Sequence, residues 1–186
     1  MISLNEKALV TYAQAREYVL PDQEPSKDQE RTLRMLINGV SAAFEDIIQR
    51  PIIKRRVEEQ QDGGLQKYFL RYYPAENLTV TVEGRPIKAT LYGDSGIVVL
   101  EEPAPKGRQN VKFIYTAGFG EQVRKDGELV EVKIGYDWQM YCLQAINYFF
   151  NKDLAHFARA AEGVLITPDI LPASVQDFLK RKRTVF

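Results

Sequence analysis

The stretch RTLRMLINGVSAAFEDIIQRPIIKRR, residues 31–56, begins with one hydrophobic period and ends with another. Leu33, Leu36, Ile37, Val40, Phe44, Ile47 and Ile48 recur at steps of three and four, which lays one apolar stripe along a helix. Arg34, Asn38, Ser41 and Glu45 mark the other side. Pro51 cannot continue that helix, because it has no N–H and its ring collides with the carbonyl four residues back. Ile52, Ile53 and Val57 then run on in a strand-like, partly basic segment. The chain must therefore pass from helix to sheet at this proline.

The same reasoning divides the rest of the chain. Thr11 with Gln14, and Ser26 with Gln29, each match the capping box, a hydroxyl followed three residues later by Gln. They predict a short helix over 12–19 and a long one over 27–49, whose positive end is favoured by Asp28 and Glu30. The middle of the long helix, 38–43, is unusually small, so another backbone can approach it, from within the chain or from a neighbouring subunit. From 53 to 134 the period is two: Leu78, Val80 and Val82 share a strand face, as do Val111, Phe113 and Tyr115, and 96–100 is a short buried-type run. Asp62-Gly63-Gly64, Glu83-Gly84, Gly93-Asp94 and Asp126-Gly127 supply the turns. Five to seven strands follow, mostly in antiparallel hairpins, with 121–134 as a last excursion. Helix returns over 137–151, capped by Asp137, with a weaker segment at 154–161. Pro172 opens a final helix that carries Val175, Phe178 and Leu179 into the basic end KRKR, residues 180–183. The expected fold class is α+β: a helical core of about four to five helices, residues 1–52 and 135–186, interrupted by an inserted antiparallel β-rich module, residues 53–134.

Composition narrows the chemistry. The 25 basic and 25 acidic side chains cancel, which weighs against coating nucleic acid through bulk charge. A single cysteine, Cys142, cannot form an internal disulfide and suits a reducing compartment. The first ten residues lack the basic start and apolar core of a secretory signal, and no apolar run approaches the roughly 20 residues of a membrane helix. A cytoplasmic protein with no membrane partner is expected.

Catalytic constellations are sparse. His156 is the sole histidine, which excludes a histidine metal cluster, and one cysteine cannot complete a thiolate site. Cys142 lies in an apolar helical face, where a thiol is inert packing. Gly118 and Gly120 are two glycines of a phosphate fingerprint with no Walker-type lysine behind them. The carboxylate pairs Glu45/Asp46, Glu58/Glu59 and Glu101/Glu102 are adjacent in sequence, and neighbours on a strand point to opposite faces. No catalytic residue, cofactor or metal is expected. Two features point to binding instead: the aromatic density of YFLRYY, 68–73, which suits a binding face or inter-sheet packing, and the basic carboxyl-terminal run.

The order of segments LVTYAQAREYVL (9–20), LINGVSAAFE (36–45), QRPI (49–52), LRYYP (70–74), NVKFIYTAGFG (110–120) and LPASV (171–175) resembles the head–tail connector proteins of tailed bacteriophages, the head-completion or adaptor proteins. The resemblance spans nearly the whole chain and departs from the family pattern at about 121–134, where a hairpin-like insertion replaces a short acidic link. It implies a non-enzymatic virion part, made in the host cytoplasm. The implied homo-oligomeric ring, twelvefold in the virion and monomeric before a template is met, sits below the portal protein, extends the channel for passing DNA and receives the tail or stopper protein.

A ring needs two different patches that meet head-to-tail. Asn38, Ser41, Ala42 and Glu45, small or modestly polar and off the main stripe, are the candidate subunit interface. Lys180, Arg181, Lys182, Arg183, Val185 and Phe186 form the candidate partner-binding tail. The alternative reading is a nucleic-acid-binding regulator that uses this basic carboxyl terminus and binds DNA in a salt-dependent way.

Overall fold

The computed structural model describes residues 2–152 and 170–183. Two compact units divide the chain, one of Met1–Gln49 with Gly120–Phe186 and the other of Arg50–Phe119. The first unit opens with helices α1 (Tyr12–Val19) and α2 (Lys27–Ile48). Both begin in the expected capping boxes. Gln14 N donates to Thr11 Oγ1 at 3.2 Å while Thr11 N donates to Gln14 Oε1 at 2.9 Å, and Ser26 and Gln29 repeat the exchange at 3.2 and 2.8 Å. Helix α2 ends at Gln49, whose left-handed backbone (φ 60) turns the chain just before Pro51. Its buried residues include Leu33, Leu36, Ile37, Val40, Phe44 and Ile48, the stripe read from the period.

The second unit holds seven strands: β1 (Arg55–Gln61), β2 (Lys67–Phe69), β3 (Ala75–Val82), β4 (Arg85–Ile87), β5 (Ala89–Tyr92), β6 (Ile97–Leu100) and β7 (Val111–Ala117). They form two antiparallel sheets, ordered β1-β7-β3-β4 and β2-β6-β5. The inner faces share one core. Tyr68, Val98 and Leu100 from the smaller sheet join Val80, Val82, Val111, Phe113 and Tyr115 from the larger one, and the Tyr68 and Phe113 rings sit 5.2 Å apart. The run at 96–100 is not buried throughout as its composition suggests: Val98 and Leu100 point inward, whereas Ile97 and Val99 are half-exposed, because only one face of this sheet is covered. Gly118 (φ +139) needs to be glycine, since an added Cβ would lie 2.6 Å from Lys54 N. The Gly118/Gly120 pair is therefore a site of close backbone approach.

The chain returns to the first unit with the hairpin β8 (Glu121–Lys125) and β9 (Glu128–Lys133), then α3 (Tyr136–Asn151) and α4 (Ala173–Lys182). Asp126 (φ 51) and Gly127 (φ 83) form the hairpin turn. With this hairpin there are nine strands among the described residues, more than the five to seven expected, because short edge strands such as β4 carry too few residues to show a period. The hairpin also groups with the helices, so the β-module ends at Phe119 and not at 134. Gln139 Nε2 on α3 donates to Val132 O at 2.8 Å, one of the bonds that tie the hairpin there. Asp137 lies inside α3, whose N-cap is Gly135, and its Oδ1 accepts from Trp138 N at 2.9 Å. The segment at 154–161 and His156 lie outside the described residues.

Candidate interaction surfaces

Three of the four α2 positions expected to form an open contact face are taken up by the chain's own N-terminal segment. Asn38 Oδ1 accepts from Asn5 N at 2.9 Å, and Asn38 Nδ2 donates to Ser3 O at 3.0 Å. Ser41 Oγ accepts from Leu9 N at 3.1 Å, and Lys7 Nζ lies 2.8 Å from Glu45 Oε2. Ser41 is 0% exposed and Glu45 5%; Ala42 is half-buried. The physical reason is hydrogen-bond demand. Residues 2–10 form no regular element and need outside partners for their backbone groups, which these short polar side chains supply. The hairpin grips the same segment from another element: Gln122 Nε2 donates to Asn5 O (3.2 Å) and Ala8 O (2.8 Å), and Arg124 Nη2 to Leu4 O (2.9 Å) and Asn5 O (2.6 Å). Sequence reasoning missed this segment because it has no period. Its signal is a run of apolar residues, Leu4, Ala8, Leu9 and Val10, all buried.

The small centre of α2 serves packing within the unit as well. Ser41 Oγ is 3.9 Å from Cys142 Sγ on α3. Cys142 is wholly buried, and that burial pushes its thiol up to about 12 against a smaller opposing effect from the Ser41 bond. A thiol so held is not a nucleophile at neutral pH. Among the described residues no group of three His, Cys, Asp or Glu side chains is placed to hold a metal, and no helix is long and apolar enough to cross a membrane.

The basic end splits into two roles. Helix α4 buries Val175, Phe178 and Leu179, and the Phe178 ring stacks on Tyr141 at 4.3 Å and meets Trp138 edge-on at 4.9 Å. Lys182 joins this cluster: its Nζ is 3.0 Å from Asp137 Oδ2 and lies over the Trp138 and Phe178 rings at 5.5 and 5.4 Å. Lys180, Arg181 and Arg183 are exposed. Val185 and Phe186 lie outside the described residues.

In the β-module the aromatic run alternates. Tyr68 (1% exposed) and Leu70 face the core, whereas Phe69 is 61% exposed. Tyr115 lies in the larger sheet; its hydroxyl donates to Glu59 Oε2 and accepts from Tyr72 N, both at 3.2 Å. Burial, with the Glu59 charge second, raises its pKa above the usual tyrosine value. Arg50 lies over the Tyr73 and Phe119 rings at 5.4 and 4.9 Å and donates to Tyr73 O at 3.3 Å. The aromatic run is thus both core and surface, divided by strand parity.

With this geometry in place, comparison with known proteins is informative. The family model described as "Head completion protein" matches residues 8–185. Among curated proteins none matches the chain. Two similar solved structures are a chain from the "Neck of empty GTA particle computed with C6 symmetry" and one from the "Virion of native gene transfer agent (GTA) particle". Their TM-scores are 0.62 and 0.60, each at 16% identity and each covering 100% of this chain and 94% of the other. At that identity the likeness is one of fold.

Proposed function

The chain belongs to the head completion protein family, and on that premise we propose that it is a structural subunit of the neck that joins head to tail in a phage or phage-like particle. Copies form a closed ring below the portal protein, the ring extends the channel through which DNA passes, and its far side receives the tail or stopper protein. The subunit is made in the host cytoplasm, ends in the virion, and works by shape and contact without cofactor or catalysis. The observation that carries this reading is the family match along residues 8–185, nearly the whole chain.

Three further points support it. A closed ring agrees with a similar chain coming from a neck computed with C6 symmetry. The exposed charges Lys180, Arg181 and Arg183 stand at the end of a helix that is itself firmly packed, which offers a cationic docking point on a rigid base. Ala42, half-buried on α2, is the one proposed interface position whose side chain is not engaged in polar contacts to the N-terminal segment.

The test is removal of the gene followed by complementation. Filled heads and separate tails should accumulate without the protein and join when it is restored. Normal yields of infectious or transducing particles in its absence would contradict the reading.

A further inference from the structure

The smaller sheet of the β-module leaves a covered and an uncovered face. Directly paired residues of antiparallel strands point the same way, and the register places Phe69, Ile97 and Tyr92 in one row across β2, β6 and β5. The next outward row is Lys67, Val99 and Thr90. Between them, Tyr68, Val98 and Leu91 turn inward to the core. Phe69 and Tyr92 are 61% and 56% exposed, and Ile97 joins them into one continuous apolar strip. Lys67 Nζ lies 5.3 Å from the Phe69 ring centre, so a cation borders the strip. Two exposed aromatic side chains aligned across a sheet are the kind of anchor that dominates protein interfaces.

The other unit carries a recess. A cleft of about 370 Å³ lies among the N-terminal segment, the start of α1, Arg34 on α2 (ion-paired with Glu30) and the β8–β9 turn. Leu4, Tyr12, Leu129 and the exposed Val130 give it apolar walls, and Glu128 stands at the rim. The units also differ in charge. Arg50–Phe119 carries eleven Lys and Arg against eight Asp and Glu, while the remainder of the chain carries fourteen against seventeen. A chain that is neutral overall is therefore a cationic module joined to an anionic one, which favours contact between unlike modules of different copies.

We propose that the Phe69–Ile97–Tyr92 face of one copy docks into the Leu4–Tyr12–Leu129–Val130 cleft of a second copy, with Lys67 meeting Glu128. This rests on the ring reading above and supplies its heterologous contact: two different patches on each subunit, knob and recess, repeated head-to-tail until the ring closes. It also explains why an aromatic strip stays uncovered on the described sheet.

The test compares incorporation into purified particle necks for wild type, the double variant Phe69→Asp/Tyr92→Asp, the single reversals Lys67→Glu and Glu128→Lys, and the paired reversal. Phe69 and Tyr92 are surface residues, so thermal unfolding of their double variant should match wild type. Its incorporation should fall by roughly tenfold or more. Each single reversal should reduce incorporation, and the paired reversal should restore it. In a chain carrying both Phe69→Cys and Val130→Cys, mild oxidation of assembled necks should give a ladder of disulfide-linked oligomers. Wild-type necks joined by normal amounts of the Phe69→Asp/Tyr92→Asp protein, with no ladder, would overturn this docking while leaving the ring standing. Rings that form normally from that variant but no longer hold tails would overturn it too, by giving the face to another component. If wild-type protein is never recovered as a ring, the ring reading falls and this contact with it.

Discussion

Lys7 Nζ and Glu45 Oε2 are 2.8 Å apart, and the Glu45 side chain is only 6% exposed. A carboxylate this buried on α2 would be costly alone, and the lysine that meets it comes from the irregular segment before α1. Removing Lys7 takes a cation away from a buried carboxylate, whereas neutralising both side chains does not. Lys7 is 31% exposed, so solvent offsets part of the loss. Lys7→Ala should cost roughly 1–3 kcal/mol by denaturant unfolding. The pair Lys7→Ala/Glu45→Gln should recover part of that, and a double-mutant cycle checks it.

The basic end should separate into a folding part and a docking part. Lys182→Ala removes the Asp137 ion pair and the cation over two rings, and should cost about 0.5–1 kcal/mol in thermal or chemical unfolding. Changing Lys180, Arg181 and Arg183 together to alanine should leave stability within about 0.5 kcal/mol. That variant should instead weaken association with the portal or tail component, most visibly at low salt. Equal loss of stability in both variants would contradict the division.

Alkaline pH should destabilise the protein through two buried acids. Burial raises the Cys142 thiol from an ordinary 9.0 to about 12, and burial beside Glu59 raises Tyr115 from 10.0. In the unfolded chain these groups lose their protons first, so the folded state holds more protons over that interval. Their contribution is fully present below about pH 9 and is lost as pH rises towards about 12. Unfolding measured from pH 8 to 11 should show falling stability, with a smaller fall in Cys142→Ala.

At pH 7 the Tyr115 hydroxyl has a second consequence. Tyr115→Phe leaves the Tyr72 N–H without the acceptor that the hydroxyl provides and removes a donor from Glu59. The expected cost is about 1–2 kcal/mol, with the β-module fold retained. Hydrogen exchange at Tyr72, in the link between β2 and β3, should speed up relative to the amides of β3 and β7.

The legible parts of the fold were those with a local chemical signal. Thr11/Gln14 and Ser26/Gln29 mark helix starts because both partners of each box lie within four residues. Asp126-Gly127 marks a hairpin because few residues accept its backbone angles. What pairs with what over long distances was not legible. Nothing near Asn5 or Leu9 says that their backbone groups will be met by Asn38 and Ser41 more than 30 residues away. Period two identifies β8 and β9 as strands but does not say that they group with the helices. Phe69 belonged to an aromatic run visible in the sequence, whereas Tyr92 became part of the same row only through the register of β2, β6 and β5.

The most direct measurement is a cryo-electron microscopy reconstruction of the neck in particles made with the tagged protein. The account predicts density for this chain as a closed ring between portal and tail, enclosing the DNA channel. Particles that carry both head and tail but hold no ring of this chain at that position would contradict it.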